Sequence, residues 1–224
     1  MPDQTPVNDT TPIIIGADEV GVGCVFGPLT VGAIANVNGW HDSKVKDSKK
    51  IHSERTMRKI AARVAENTVW SLAWASNAVI DEYGLALALQ SAYLKVLGDL
   101  VSRLQVYKRP IEIILDGSEM KKVTEWCGRQ GVKVTTLVRA DQTVFEVSAA
   151  SIVAKASRDT WVHKLVEARP SLSAYDLDSC KGYASPRHTA AIIQFGLTPW
   201  HRKNACANLL QNKGNNHAVT AASV

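Results

Sequence analysis

The sequence predicts an α/β fold with a mixed central sheet flanked by helices. Two observations support it: short β-branched or apolar runs alternate with longer helical patterns, and 46% hydrophobic with 21% charged residues is typical of a soluble globular protein. The 224 residues suffice for one sizeable core, or at most two small ones. We expect a flexible leader at 1–11, a folded domain at 12–210 and a flexible tail at 211–224.

Each element is predicted from its local pattern. Strands are expected where apolar or β-branched residues run together, at Ile13–Asp18, Leu29–Ala35, Thr68–Ala75, Ile111–Asp116 and Val132–Val138. Helices are expected at Ser53–Glu66 with Ser53 as N-cap, at about Val79–Leu104, at about Val144–Glu167 before Pro170, and after Pro186. The run IEIILD is typical of a central strand covered on both faces. Short connections between the early strands allow antiparallel pairing, so the sheet is predicted to be mixed.

The composition limits the binding partners and the cellular compartment that can be expected. A net charge of +5 and a pI near 9.0 lean mildly towards a polyanionic partner. The four cysteines are far apart, which argues against a zinc ribbon and favours a reducing compartment. The N-terminus has no apolar signal region, and no run approaches the roughly 18 apolar residues that a bilayer span needs. We therefore expect a soluble, cytoplasmic protein without a membrane partner.

Acidic residues stand where predicted strands end. In GADEVGVGCVFGP, Asp18 and Glu19 close an apolar run before a glycine-rich bend, and Asp116 closes IEIILD. The ends of strands are where α/β folds usually carry their chemistry. Successive strand residues point to opposite faces, so Asp18 and Glu19 share a site only if the strand bends, which Gly21 and Gly23 allow. The dinucleotide-binding alternative is set aside, because the third glycine comes one residue late.

A fourth acid, Asp159, lies in SAASIVAKASRDTWV at the edge of an apolar helix face. The alternative is a surface pair with Lys155, worth only about 0.3–0.5 kcal/mol. Four converging acids would raise one another's pKa, and two divalent cations would relieve that repulsion. Oxygen ligands without a His or Cys cluster favour Mg²⁺ or Mn²⁺ over zinc. Because two such ions can cleave a phosphodiester, the pattern predicts a nuclease or a related phosphotransferase.

Taken in order, the motifs resemble ribonuclease HII, the type 2 ribonuclease H family, over about residues 13–205. They are GADEVGVG…GP at 16–28, DSKKI at 47–51, ILDGS at 114–118, ADQTVFEVSAASIVAKASRD at 140–159, KGYASPRH at 181–188 and WHR at 200–202. The resemblance implies an RNase H-like fold with a small helical C-terminal extension. It also implies hydrolysis of the RNA strand of RNA–DNA hybrids, cleavage at ribonucleotides embedded in DNA, two Mg²⁺ or Mn²⁺ ions, and 5′-phosphate and 3′-hydroxyl products.

The resemblance further implies a role for individual residues. The metal-binding catalytic carboxylates would be Asp18, Glu19, Asp116 and Asp159. The backbone of Gly21, Val22 and Gly23 would read the 2′-hydroxyl that distinguishes RNA from DNA, and Tyr183 would stack on the sugar past the RNA–DNA junction. Phosphate contacts would come from Ser48, Lys49, Lys155, Lys181 and Arg202. A monomer acting on an RNA–DNA hybrid or a ribonucleotide-containing duplex is expected.

The glycine bend departs from the family pattern. The family usually has Gly-Arg-Gly, whereas Val22 stands here, and GVG followed by FGP is more like ribonuclease HIII. AKASRD, KGY and WHR follow ribonuclease HII, and only about a dozen residues precede the first strand, too few for the N-terminal domain of ribonuclease HIII. After WHR, Lys203–Asn204 replaces the usual Arg-Ser-Phe. Two alternatives stay open: an HIII-like preference for several ribonucleotides, and a hybrid-binding protein that does not cut.

Several other polar residues are interpreted as structural. Other acids are interpreted as surface groups, caps or loop contacts: Asp47, Asp81, Glu82, Asp99, Asp141, Asp176 and Asp178. Asp47 and Asp141 lie within family-like motifs and are assigned local structural roles. His188 and His201 are interpreted as local hydrogen-bonding groups without a chemical role.

Overall fold

A five-stranded sheet lies at the centre of the fold, and the computed structural model describes residues 10–46, 48, 51 and 53–207. The strands are β1 (Ile13–Val20), β2 (Leu29–Ala35), β3 (Val69–Ala75), β4 (Ile111–Asp116) and β5 (Lys133–Leu137). They lie in the order β3-β2-β1-β4-β5, with β4 parallel to both β1 and β5. Only residues 21–28 join the neighbouring β1 and β2, which is too short for a parallel crossover. The sheet is therefore mixed, and this prediction is confirmed.

Helices flank the sheet in the described ranges. They are α1 (Glu54–Asn67), α2 (Asn77–Tyr83), α3 (Leu85–Leu104), α4 (Lys121–Arg129), α5 (Phe145–Ala168), α6 (Leu177–Cys180) and α7 (Pro186–Phe195). Ser53 caps α1 as predicted, because its hydroxyl accepts a hydrogen bond from the Thr56 N–H. The single helix predicted over 79–104 is wrong. Gly84, with φ +82°, ends α2 by donating its N–H to the Ile80 carbonyl, and α3 then begins.

The chain divides into two compact units. The first lies within residues up to 19, 31–73 and 93–156, and the second within 20–30, 74–92 and beyond 156. The first has a core of small and branched residues that includes Ile34, Met57, Ile60, Val64, Ala150 and Ile152. The second has a core that includes Phe26, Val162, Leu172, Leu177, Ile192 and Cys206. The boundaries predicted for the leader, the domain and the tail stay predictions.

Within the first unit, two glycines bring the sheet close to α5. A Cβ on Gly16 of β1 would lie 2.3 Å from the main-chain N of Val147, and one on Gly32 of β2 would lie 2.7 Å from the Ala150 carbonyl oxygen. Such distances are too short for any side chain, so the backbones of strand and helix meet directly. The N-terminal turns of α5 therefore pack against β1 close to Asp18.

Within the described ranges, one helical segment, 85–107, is long and apolar enough to cross a membrane by length and composition alone. It comprises α3 and the 3-10 turn after it. Its fully buried residues recur at helical spacing, at Tyr93, Val96, Leu97, Leu100 and Leu104. A neighbouring face carries an exposed ion pair, Asp99–Arg103, with 3.1 Å between Oδ2 and Nη1. One buried and one charged face are typical of a core helix in a globular protein.

Candidate metal centre and nucleic-acid-binding residues

Three aspartates of the first unit converge at one edge of the sheet. Asp116 is the last residue of β4, and Asp18 follows Ala17, which pairs with Leu115 across the parallel β1–β4 ladder. Carboxyl ends of parallel neighbours meet at the same edge, so the two side chains are brought together. Asp141 joins them from the 3-10 turn Ala140–Gln142, and one carboxylate oxygen from each lies within 4.8 Å of the others. We call these three residues the acidic cluster.

Main-chain hydrogen bonds hold Asp141 in the acidic cluster. The Ala140 N–H donates to Asp116 Oδ1 at 2.6 Å, and the Ser148 hydroxyl donates to the Asp141 carbonyl. Asp141 is only 1% exposed. Its interpretation as a cap or loop contact therefore missed a member of the cluster. The rule that pointed to Asp18 and Asp116 would have found it, because β5 runs parallel to β4 and Asp141 follows the end of β5.

Glu19 lies beside the cluster but is not one of its three converging residues. Its N–H donates to Asp18 Oδ1 at 2.8 Å, and its carboxylate accepts a short hydrogen bond from the Tyr93 hydroxyl. Burial, followed by the charges of Glu19 and Asp18, raises the pKa of Tyr93 well above its ordinary value. The phenol therefore stays protonated and acts as a neutral donor to Glu19. β1 continues to Val20, so the two acids occupy successive positions of one strand.

Burial dominates the electrostatics of Asp18. The pKa of Asp18 is raised to about 7; burial is the largest cause, a hydrogen bond from Ser151 lowers the pKa, and the charges of Glu19 and Asp116 raise it. The Ser151 hydroxyl lies 3.0 Å from that of Ser48, which is also buried. The Ser48 hydroxyl therefore supports Asp18 through Ser151, and the phosphate contact predicted for Ser48 stays a prediction.

The donor set of the acidic cluster fits a hard divalent cation. All three ligands are carboxylates, two of them buried, and buried like charges need a compensating cation. In the part of the chain that the structure describes, no other group of three His, Cys, Asp or Glu residues has ligand atoms this close. The residues therefore fit the Mg²⁺ or Mn²⁺ expected from the sequence, and neither Cys nor His belongs to the set.

Lys155 and Asp159 both lie on α5 but belong to different units. Lys155 is half-buried in the first unit, whereas Asp159 is buried in the second, where its Oδ1 lies 4.0 Å from Arg158 Nη1. The assignment of Asp159 as a metal ligand stays a prediction.

In the second unit, Tyr183 lies beside the glycine bend, which we define as residues 21–28. A Cβ on Gly23 would lie 3.9 Å from Tyr183 Cε1, and Cys24 forms an antiparallel bridge with Tyr183. Gly23 is exposed and Tyr183 is 45% exposed, so both residues are accessible to solvent beside one another. Gly21 has φ +88°, and a Cβ there would lie 2.3 Å from Arg158 Nε, so only glycine fits.

The cationic residues predicted to contact phosphates have different surroundings. Arg202 is 1% exposed, and its guanidinium donates to the carbonyls of Gly27 and Val22, at 2.9 and 3.0 Å. These hydrogen bonds engage the guanidinium with main-chain oxygens, and the phosphate contact predicted for Arg202 stays a prediction. Lys181 is half-buried, with Nζ 2.5 Å from the Asp178 carbonyl oxygen. Lys49 lies outside the described residues.

Two buried histidines of the second unit form a directed hydrogen-bond chain. The Thr198 N–H donates to His201 Nδ1 at 2.9 Å, so His201 carries its proton on Nε2. That proton is donated to His188 Nε2 at 3.1 Å, and His188 Nδ1 donates to the Tyr183 carbonyl at 2.8 Å. Burial and the neighbouring His188 lower the pKa of His201 to about 4. The interpretation of both residues as local hydrogen-bonding groups is confirmed.

Comparison with known proteins identifies the family of this chain. The family model described as Ribonuclease HII matches residues 15–210. The ribonuclease HII of Campylobacter concisus (strain 13826) is 36% identical over 191 residues, which cover 85% of this chain and 91% of that protein.

Two solved structures resemble the fold. The ribonuclease HII chain of the PCNA:RNase HII complex from Archaeoglobus fulgidus has a TM-score of 0.64 at 24% identity, covering 84% of this chain and 91% of its own. Bst-RNase HIII in complex with Mn²⁺ has a TM-score of 0.60 at 22% identity, covering 83% of this chain and 63% of its own. At these identities the likeness shows the RNase H-like fold alone. Because the family model spans most of the sequence, the chain belongs to the ribonuclease HII family and is a metal-dependent endoribonuclease with ribonuclease H activity.

Proposed function

We propose that the chain hydrolyses the RNA strand of RNA–DNA hybrids and cuts DNA duplexes at embedded ribonucleotides by two-metal catalysis. The products would carry 5′-phosphate and 3′-hydroxyl ends. The observation that carries this proposal is the convergence of the Asp18, Asp116 and Asp141 oxygens within 4.8 Å. The preferred ion is Mg²⁺ or Mn²⁺, since all donors are hard oxygens.

The acidic cluster would hold the metal, with Asp18 and Asp116 as central ligands. Asp141 is added on geometry, while Glu19 and Asp159 are carried over from the resemblance. When bound, the metal lowers the pKa of a water and stabilises charge on the leaving oxygen. Because the pKa of Asp18 is about 7, metal binding near neutral pH releases a proton from this carboxyl, and affinity rises with pH.

Neighbouring donors would orient these carboxylates before substrate binds. The Ala140 N–H fixes Asp116, the Ser151 hydroxyl fixes Asp18, and the Tyr93 hydroxyl fixes Glu19. Ligands held in this way need little rearrangement on binding, which favours both affinity and rate.

Substrate recognition would fall to the glycine bend and Tyr183. The exposed backbone at Gly23 suits contact with a 2′-hydroxyl, and the exposed Tyr183 ring suits stacking on a sugar. Lys49, Lys155 and Lys181 would contact phosphates. Val22 can keep the backbone contact, but it lacks the cation that the family usually has there. This HIII-like loop favours one second candidate, a preference for several consecutive ribonucleotides.

Duplexes with one, or with four or more, embedded ribonucleotides test both candidates. We expect cleavage in Mg²⁺ or Mn²⁺, and mapping each cut gives the junction and the end chemistry. Asp116→Asn should abolish cleavage while substrate binding remains, because the charge is lost but the shape is kept. Unchanged turnover would refute the assignment of Asp116, and efficient cutting only at runs of four or more would favour the HIII-like candidate.

Two further parts of the proposal concern the state of the protein. We propose that the protein is a monomer, and that it is cytoplasmic because its four widely spaced cysteines suit a reducing compartment. Light scattering of the purified full chain, with and without a hybrid duplex, measures the oligomeric state. The Archaeoglobus fulgidus ribonuclease HII was solved with PCNA, and a comparable partner for this chain can be tested in the same experiment.

A further inference from the structure

Two arginines of the second unit are buried with both guanidinium groups facing main-chain carbonyls. Arg158 is 0% and Arg202 is 1% exposed. Arginine is almost never fully buried unless its charge is compensated. Here the two guanidinium groups donate five hydrogen bonds to carbonyl oxygens, and four of the five acceptors belong to one segment, the glycine bend.

Arg158 joins the glycine bend to the segment that precedes Tyr183. Its Nε donates to the Pro28 carbonyl at 2.9 Å, and its Nη2 donates to the Phe26 carbonyl at 3.0 Å. Its Nη1 donates to the Lys181 carbonyl at 2.7 Å. A main-chain hydrogen bond joins the same two segments, since the Val25 N–H donates to the Gly182 carbonyl at 2.9 Å.

Arg202 holds the same bend through other carbonyls. Its Nε donates to Gly27 O at 2.9 Å, and its Nη1 donates to Val22 O at 3.0 Å. Its own main-chain N–H donates to Val25 O at 2.8 Å. The carbonyl of Val22, between the two glycines at 21 and 23, is therefore turned towards a buried cation.

We infer that Arg158 and Arg202 are positioning residues for ribose recognition, because they fix the glycine bend in the shape that leaves Gly23 exposed beside Tyr183. The inference rests on the proposed function, which assigns the 2′-hydroxyl contact to this backbone. A backbone discriminates ribose from deoxyribose only if its polar groups are held in place, because an unanchored bend adapts to either sugar. Lysine cannot substitute, since one ammonium does not reproduce the planar fork that reaches two carbonyls.

The test compares Arg202→Gln and Arg202→Lys in an Asp116→Asn background, so that binding is measured without cleavage. Dissociation constants are determined for a duplex with one ribonucleotide and for the all-DNA duplex of the same sequence, over a series of salt concentrations. We expect the ratio of the two constants to fall at least tenfold in both variants, while the salt dependence of binding is unchanged. Arg187→Gln, which removes an exposed arginine of the same unit, should keep the ratio.

A direct phosphate contact predicts the opposite pattern. Removing it would lower the salt slope by about one unit and weaken both duplexes equally, so the ratio would be retained. That result for Arg202→Gln overturns the inference. If Arg202→Gln does not fold, as judged by thermal unfolding, Arg202→Lys carries the comparison, and a folded Arg202→Lys with the wild-type ratio also overturns it. If neither folds, Arg158→Lys is held to the same two criteria.

Failure of the proposed function gives a different result. If the Asp116→Asn protein that keeps Arg202 binds both duplexes equally, the proposed recognition of embedded ribonucleotides is refuted. Mn²⁺ binding serves as a second readout and is measured on the arginine variants without the Asp116→Asn substitution, because the acidic cluster belongs to the first unit and should then bind Mn²⁺ as in the wild type.

Discussion

Replacing Asp141 by Asn tests the membership of the acidic cluster. The substitution removes one negative charge and nearly preserves shape. Two unit charges 4.8 Å apart, the separation within which the three carboxylates lie, interact by about 3.5 kcal/mol at an effective dielectric constant of about 20. The attraction of a doubly charged ion is larger, and relief of repulsion from Asp18 and Asp116 offsets part of the loss. We therefore expect Mn²⁺ affinity to fall on the order of 100-fold, or about 2.7 kcal/mol.

Calorimetric titration of Mn²⁺ into protein without nucleic acid measures this loss directly. A pH of 8 keeps Asp18, whose pKa is about 7, mostly ionised before the metal is added. Asp159→Asn is the matched variant, since it removes the same charge from an aspartate that lies 4.0 Å from Arg158 Nη1. From the geometry of the acidic cluster we expect a change of less than tenfold for Asp159→Asn, whereas the ligand role carried over from the resemblance predicts a loss comparable with that of Asp141→Asn.

The two variants discriminate between geometry and resemblance. Full Mn²⁺ affinity in Asp141→Asn, with loss in Asp159→Asn, would show that the residue carried over from the resemblance is the ligand. The reasoning from convergent oxygens would then be refuted. Loss in both variants would assign ligand roles to both residues.

Three other perturbations have defined outcomes. Val22→Arg should increase the salt slope of hybrid binding by about one unit if the added cation reaches a phosphate, and an unchanged slope would contradict the proposed loss of a phosphate contact at this position. Gly32→Ala should destabilise the fold by about 1–3 kcal/mol, because the new Cβ would lie 2.7 Å from the Ala150 carbonyl oxygen. Each kcal/mol should lower the Tm by roughly 2–4 °C, and an unchanged Tm would contradict this close packing. The pKa of His201 is lowered from 6.5 to about 4, so its contribution to stability is complete above pH 6.5 and declines as the pH falls towards 4. Between pH 7.5 and 5 the free energy of unfolding should fall by about 2 kcal/mol from this effect, as measured by urea unfolding. The raised pKa of Asp18 changes the stability with pH in the opposite direction, so the loss is taken as the difference between the wild type and His201→Gln. Identical pH dependence in the two proteins would exclude the effect.

The strands were predictable where apolar runs are continuous and their ends are marked by turn residues. Leu29–Ala35 and Ile111–Asp116 agree with β2 and β4 to the residue, and Asp116 was recognised from its place at a strand end. Asp141 was not, because it lies three residues beyond the predicted strand Val132–Val138 instead of closing it. An acid set back from a strand end does not stand out in the sequence.

The burial of Arg202 could not be predicted from local pattern. A basic residue in WHR looks like a phosphate ligand, and nothing in its neighbours indicates that carbonyls of residues 22 and 27 surround it. Such burial depends on contacts between segments distant in the sequence. The break at Gly84 was missed for a related reason, since one glycine within a long apolar helix pattern is usually tolerated.

The way Glu19 is anchored has a consequence for the electrostatic potential of the first unit. Its partner Tyr93, like the Ser151 hydroxyl at Asp18 and the Ala140 amide at Asp116, is a dipole without net charge. A lysine or arginine in such a place would neutralise the carboxylate and compete with any incoming ion. The three donors named here restrain the oxygens of Asp18, Glu19 and Asp116 without adding a positive charge, so they orient the carboxylates for a cation that comes from solution.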